Sequence, residues 1–480
     1  TWSKLAEKLT FGLYSTKTVK VTVAAEDTIS GIARIEYYKT PDRKAKTKAE
    51  LNKIKNWKPY KKFSVSPNEQ FTVYVKLKDY VGNAAYISSD GVILDNKAPV
   101  TEMTAPEISL SAEAGTDVIY NSDVKVSVKV EDPTAGNTYS GLKKVWNMDK
   151  LTEKGVLYNA STTKKNVQKK RWSGNVTVDS SQNNSDQIKV RVIATDQAGN
   201  TGTKTLNLKI DTTAPRVVVR YDNNTPDNGR YYREKRVATI TITERNLRKE
   251  DIALAITNTD GVIPQMSEFQ LVAGTGNLDN TRYVATVTYE ADGDYTFGIS
   301  GKDMAGNPFQ AVEYEDGTMN PTEFTIDTTA PEIGVSYDNN NAANGSYFNA
   351  GRTATVTITE HNFDSGRVTF TQTAALEETD IAVPQASWSS NGDVHTAVIA
   401  YQADGDYTFD VSMTDMAGNP SGAVNYGASA AANAFTIDQN IEKPKLLGVE
   451  NGHSYKDDVI PEISFSDTNY ENCEVQLLRT

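Results

Sequence analysis

Ala403-Asp-Gly-Asp-Tyr407-Thr-Phe409-Asp-Val411-Ser-Met413-Thr-Asp415-Met-Ala-Gly418-Asn419 is the stretch that decides the fold. Tyr407, Phe409, Val411 and Met413 alternate with polar residues, and period two with one apolar face is the mark of a half-buried antiparallel strand. Turn residues bound it on both sides, Asp404-Gly405 before and Asp415-x-x-Gly418-Asn419 after. Ala354, Val356 and Ile358 alternate with Thr in the same way. Working outward, strands are expected near 332–337, 353–360, 367–372, 395–402, 406–415 and 434–438, a meander of β-sandwich length.

The turn recurs. Asp79-Tyr-Val-Gly82-Asn83, Asp196-Gln-Ala-Gly199-Asn200 and Asp303-Met-Ala-Gly306-Asn307 precede Asp415-Met-Ala-Gly418-Asn419, at steps of 117, 107 and 112 residues. A second marker follows each: Leu94-Asp95-Asn-Lys-Ala-Pro99, Ile210-Asp211-Thr-Thr-Ala-Pro215, Ile326-Asp327-Thr-Thr-Ala-Pro331 and a looser Ile437-Asp438…Pro444. A period this long is a whole domain rather than a solenoid unit. The boundaries are 1–97, 98–213, 214–329 and 330–440, and 441–480 opens a fifth domain with Asn451-Gly-His-Ser-Tyr455. The third and fourth repeats agree best: Tyr221-Asp-Asn-Asn with Tyr337-Asp-Asn-Asn, Ile242-Thr-Glu244-Arg-Asn246 with Ile358-Thr-Glu360-His-Asn362, and Asp-Gly-Asp-Tyr295-Thr-Phe297 with Asp-Gly-Asp-Tyr407-Thr-Phe409.

Composition suits this organisation. The 480 residues are 38% hydrophobic and 23% charged, enough for each repeat to bury a core. A lone cysteine, Cys473, excludes an intramolecular disulfide framework. No run approaches the ~20 apolar residues of a transmembrane helix. The opening Thr1-Trp2-Ser3-Lys4 has no charged-then-apolar leader, so the segment is expected to belong to a larger protein. Net charge is −12 but uneven: residues 1–215 hold 33 Lys and Arg against 23 Asp and Glu, the rest 17 against 39. The bland reading of such asymmetry is solubility; the other is different partners for the two halves.

Across nearly its whole length the chain resembles bacterial immunoglobulin-like domains, found in tandem on surface proteins of Gram-positive bacteria. The likeness rests on the Asp-x-Ala-Gly-Asn turn, the Ile-Asp-Thr-Thr-Ala-Pro linker and Asp27-Thr-Ile-Ser-Gly31-Ile. Asp404-Gly405-Asp406-Tyr407 also resembles the tyrosine corner of an immunoglobulin domain, with Phe409 where the second core cysteine would stand. The expected fold class is therefore all-β, tandem immunoglobulin-like sandwiches arranged as an elongated rod. The resemblance specifies architecture well and function poorly.

Catalysis has little to work with. The three histidines, His361, His395 and His453, do not recur with the repeat, and no nucleophile elbow, zinc-protease helix or phosphate loop is present. The carboxylates are more informative. In this topology the Asp-x-x-Gly-Asn turn, the loop after the second strand and the preceding linker Asp meet at one pole. That brings together Asp95, Asp132 and Asp196; Asp211, Glu244 and Asp303; and Asp327, Glu360 and Asp415. Three carboxylates with nearby carbonyls suit Ca2+, which takes ~6–8 oxygen ligands. The competing reading is that each Asp merely caps its own turn while Gly supplies the positive φ.

Two basic stretches break the pattern. Residues 39–62 carry ten basic residues, among them Lys44, Lys46, Lys48, Lys53 and Lys55. There Thr47-Lys-Ala-Glu50 reads as a capping box opening a helix through about Lys55, with Trp57 and Tyr60 following. In the second repeat stand Lys164-Lys165 and Lys169-Lys170-Arg171-Trp172. Such stretches bind acidic protein or glycan, or are solvated connections packed back on the sandwich.

The expected function is non-catalytic: an extracellular, cell-wall-anchored or secreted segment of a bacterial surface protein that displays or performs host or matrix binding. Its partners would be a host or matrix protein or glycan, met at sheet edges and the basic stretches. One alternative is capture of host immunoglobulin by sheet-edge pairing; another is a spacer in a secreted carbohydrate-active enzyme. Nucleic acid is not expected, because the basic patches are local and the remainder is acidic.

Overall fold

The computed structural model describes residues 4–107, 118–148, 157–158, 169–272, 280–377, 379–467, 469–470, 472–476 and 478. Lys164 and Lys165 lie outside them. The chain divides into two compact units: 1–215 with 246–248 and 302–308, and 216–245 with 249–301 and 309–480. Every sheet closes within one of the segments 13–94, 100–210, 216–326, 332–437 or 445–464. These are tandem immunoglobulin-like β-sandwiches, followed among the described residues by a hairpin of Lys445–Leu447 with Glu462–Ser464.

The domain at 332–437 shows how the residues dictate the layers. Arg352–Thr359 turns alternate side chains inward and lies between Glu332–Tyr337 and Val394–Tyr401, with Val356 opposite Val335 and Ala397. Gly405–Met413 alternates in the same way between Val368–Leu376 and Ala434–Ile437 in the facing sheet. The Thr positions face outward, where β-branched side chains suit a pleated surface. The expected strands are present, but they do not form a meander. The strand at 352–359 lies in one sheet, 368–376 in the other, 394–401 back in the first and 405–413 again in the second. Each crossing lets one strand's apolar face pack on the opposite sheet, which a meander within one sheet would leave wet.

The tyrosine corner forms. The Tyr407 hydroxyl donates to the Ala403 carbonyl at 2.9 Å, and Tyr295 donates to Ala291 at 2.7 Å. Phe409 and Phe297 are buried where a core disulfide would stand. Gly293, before that corner, has φ +135° and a Cβ there would lie 1.9 Å from Asn258 Oδ1, so no other residue fits.

In the first domain the capping box is realised: Thr47 Oγ1 accepts from Glu50 N at 3.3 Å, and Glu50 Oε2 accepts from Thr47 N at 2.7 Å. The helix is Lys48–Lys53, two residues shorter than expected, because Ile54 turns extended to lead into Lys58–Pro59, which pairs with the Ile32–Thr40 strand. Leu51 is fully buried. Likewise Arg171-Trp172 is not an interruption of the second domain: Arg171–Val178 is a strand of its sheet, paired throughout with Val124–Glu131.

Sequence reading missed the largest buried side chains of the third and fourth domains, Arg236 and Arg352. Arg352 lies with its guanidinium carbon 3.7 Å from the Tyr337 ring centroid and 4.2 Å from that of Phe348. It donates to the carbonyls of Asn339 (2.9 Å), Ala431 (3.1 Å) and Ala430, and to Asn340 Oδ1 at 3.2 Å. Arg236 repeats this over Tyr221, with the carbonyls of Asn223, Asn320 and Met319 and Asn224 Oδ1. That explains why Tyr-Asp-Asn-Asn recurs. The Tyr ring stacks on the cation, Asp338 Oδ1 accepts from Thr353 N at 2.6 Å, and the first Asn carbonyl and second Asn side chain take the guanidinium. A buried cation is tolerable only when its donors are satisfied, and the planar fork does this where a lysine cannot. Arg352→Lys should therefore lower domain stability by about 2–4 kcal/mol, read as a lowered urea midpoint for the transition reported by the surrounding tyrosines.

Candidate functional site

Every Asp-x-x-Gly-Asn turn is built alike. Gly82, Gly199, Gly306 and Gly418 have φ between +87° and +98°. The turn Asp accepts from the backbone N–H and side-chain amide of the turn Asn: Asp196 from Asn200 at 2.8 Å for both, and Asp415 from Asn419 at 2.8 Å for both. The same amide reaches a second element. Asn200 Nδ2 donates to the Asp95 carbonyl, Asn307 Nδ2 to that of Asp211, and Asn419 Nδ2 to that of Asp327, each at 2.9 Å. Thus the turn is capped as the bland reading expects, and its Asn also ties down the linker Asp of the preceding domain.

In the first compact unit Asp95, Asp132 and Asp196 are fully buried, with one carboxylate oxygen of each within 4.8 Å of the others. Asp95 Oδ2 accepts from Ser140 N at 2.7 Å and Asp132 Oδ2 from Gly141 N at 2.6 Å. Asp132 Oδ1 is buried with no hydrogen-bond partner. Burial, then the neighbouring Asp95 and Asp196 charges, push the Asp132 carboxyl up to about 7 against the pull of the Gly141 N–H; burial also raises Asp196. The same unit holds Asp211 and Asp303, both buried. Asp211 Oδ2 accepts from Asn246 Nδ2 at 2.6 Å, and Asp303 is capped by Asn307. Burial raises Asp303. Glu244, the third residue expected there, is a buried side chain of the other unit.

Within the second unit Asp327, Glu360 and Asp415 are buried and again meet within 4.8 Å. Asn362 links two of them, donating its N–H to Glu360 Oε1 at 2.7 Å and its amide to Asp327 Oδ2 at 2.8 Å. Burial pushes Glu360 up to about 7 and raises Asp327. His395, half-stacked into this region on Phe363 at 3.8 Å, faces the Glu360 carbonyl with Nε2 and Ser390 Oγ with Nδ1. His361 pairs instead with Asp393.

The basic residues are placed differently. Lys44, Lys48, Lys53 and Lys55 are exposed around the short helix, while Lys46 is half-buried and pairs with Asp42 at 2.8 Å. Trp57 is half-buried between Tyr38 and Tyr86, and the Tyr60 hydroxyl accepts from Val23 N at 2.8 Å. Both aromatics are thus tied to the sandwich. Lys170 and Arg171 pair with Glu131 at 3.1 and 2.8 Å, and Trp172 packs on the second domain's core beside half-buried Lys169.

No family model and no curated protein matches the chain. Among solved structures it is similar to Escherichia coli alpha-2-macroglobulin activated by porcine elastase, at 12% identity and a TM-score of 0.14. That likeness covers 86% of this chain and 42% of the other, so the chain spans less than half of that protein's length.

Two outcomes follow from the geometry. Asn419→Ala leaves the Asp327 carbonyl and the Asp415 carboxylate short of a donor, and should cost about 1–3 kcal/mol in a denaturant titration. For Asp132, the folded pKa stands at about 7 against an ordinary 3.8. The native state then keeps a proton that the unfolded chain has released, so in chelated buffer stability falls as pH rises through this window and levels off above it. Asp132→Asn lacks that slope: its melting midpoint should gain on wild type between pH 4 and 7 by an amount worth at least about 1 kcal/mol, and a pH-independent gap would mean that Asp132 ionises normally.

Proposed function

We propose that this chain is a non-catalytic, extracellular segment of a bacterial surface protein, cell-wall-anchored or secreted, whose tandem domains display and perform adhesion to a host or matrix protein or glycan. The observation that supports it is the thrice-repeated Asn amide bond to a linker carbonyl, from Asn200, Asn307 and Asn419. Such a bond suits serial domains, because it fixes a turn of one domain to the linker that precedes it. The resemblance to tandem immunoglobulin-like domains of Gram-positive surface proteins points the same way. The adhesive face in this reading is the exposed lysine cluster of the first domain, Lys44, Lys48, Lys53 and Lys55. Of the two basic stretches it has the freer charges, since Lys170 and Arg171 are engaged by Glu131. Such a cluster suits a polyanionic partner such as a sulfated glycan or an acidic matrix protein.

The full chain and a variant with these four lysines changed to glutamate should be compared on immobilised heparin, matrix protein and serum immunoglobulin. Salt-sensitive retention on heparin or matrix protein that drops at least about tenfold in the variant is expected. Retention unchanged by the variant, or on immunoglobulin alone, overturns the lysine face and favours sheet-edge capture; retention on none of them favours a spacer.

A further inference from the structure

We infer that Asp95, Asp132 and Asp196 form a Ca2+ site between the linker after the first domain and the pole of the second. Three observations carry this, none of them the acidity of the cluster alone. The first is the orphan oxygen: Asp132 is fully buried, and its Oδ1 has no hydrogen-bond partner although its Oδ2 takes the Gly141 N–H. Buried polar atoms are almost always satisfied, and an orphan carboxylate oxygen is what a missing cation leaves behind.

The second is spacing. Oxygens bound to one Ca2+ at about 2.4 Å lie at most about 4.8 Å apart, and one oxygen from each of the three carboxylates falls within 4.8 Å of the others. The third is the absence of a charged partner. No ion pair reaches these three carboxylates among the described residues; their donors are neutral, the N–H groups of Lys97, Ser140, Gly141 and Asn200, the Ser140 hydroxyl and the Asn200 amide. Those donors orient the carboxylates while leaving further lone pairs for metal.

The donor set selects the ion. Three carboxylates with no imidazole or thiolate favour a hard cation over zinc or copper. Mg2+ binds oxygen at about 2.0–2.1 Å in strict octahedral geometry and gives up its waters reluctantly, so a buried set of three carboxylates suits it poorly. Ca2+ tolerates variable geometry and coordination number and would complete its shell with water or carbonyl oxygen. The ion joins the linker carboxylate of Asp95 to two loops of the next domain, so it adds an ionic tie to the Asn200 amide bond.

The test uses the full chain, stripped with chelator and titrated with CaCl2 by calorimetry, alongside Asp132→Asn. Wild type should bind Ca2+ tighter than Mg2+ and gain thermal stability on binding; the variant should bind one ion fewer. Without calcium the variant should melt at or above chelated wild type, because the amide removes a buried charge, so its lost site is not a folding defect. Equal stoichiometry in the two proteins, or no calorimetric response to Ca2+ in wild type, overturns the site. Should the variant misfold, hydrogen exchange on wild type decides. Ca2+ should slow exchange at Gly141 and Asn200 while leaving Asn83, in the exposed Asp79 turn, unchanged, and equal or no slowing overturns it.

Discussion

The structure depends on a carboxylate held out of water by its own turn. Asp196, Asp303 and Asp415 each accept both the backbone N–H and the amide of an Asn four residues on, and Gly supplies the left-handed step between them. A buried carboxylate without such donors would be strongly unfavourable. With them it becomes a rigid post on which the preceding linker is hung. The recurring motif is therefore one hydrogen-bonded object, and the linker Asp belongs to it through its main chain as much as its side chain.

Around these posts the sandwiches use a second solution to the same problem. Arg236 and Arg352 are buried cations without a carboxylate partner, satisfied by carbonyls, an Asn side chain and aromatic faces. Burial pulls both guanidinium groups below their ordinary range, but every nitrogen keeps an acceptor. The fourth domain thus meets a cluster of carboxylates, Glu360 and Asp415 with the linker's Asp327, and holds a separate buried guanidinium, each set among neutral dipoles.

Much of this was legible in the residues. Period-two alternation placed five of the six expected strands of the fourth repeat within a residue or two, because a one-residue slip would turn Val356 and Ile358 to water; the strand expected at 367–372 runs on to Leu376, and Ser387–Asn391 was not expected. The capping box at Thr47 and Glu50 and the convergence of Asp95, Asp132 and Asp196 were legible as well, since each is set by local spacing or by topology. Three things were not. The sheet-switching order depends on which faces pack, and alternation alone is the same for a meander. Arg352 looks like an ordinary strand-end cation until the Tyr337 ring, fifteen residues earlier, is folded over it. The basic stretch at Lys169–Trp172 read as an interruption because charge runs resemble loops, whereas Arg171 pairs across the strand register with Glu131.

Each sandwich also ties an early strand to its last by a short parallel pair: Leu13–Ser15 with Val92–Leu94, Ile119–Tyr120 with Lys209–Ile210, Tyr231–Tyr232 with Thr325–Ile326, and Tyr347–Phe348 with Thr436–Ile437. In such a parallel pair, tension applied through the chain pulls the partners in opposite senses along their own axes. The hydrogen bonds are then sheared together instead of being peeled apart one after another. Each closure shields the strands between its two partners, while Val100–Thr104, Arg216–Tyr221 and Glu332–Tyr337 lie ahead of it in the chain. The clamped edge, more than the core behind it, then sets the load at which the strands between begin to lengthen.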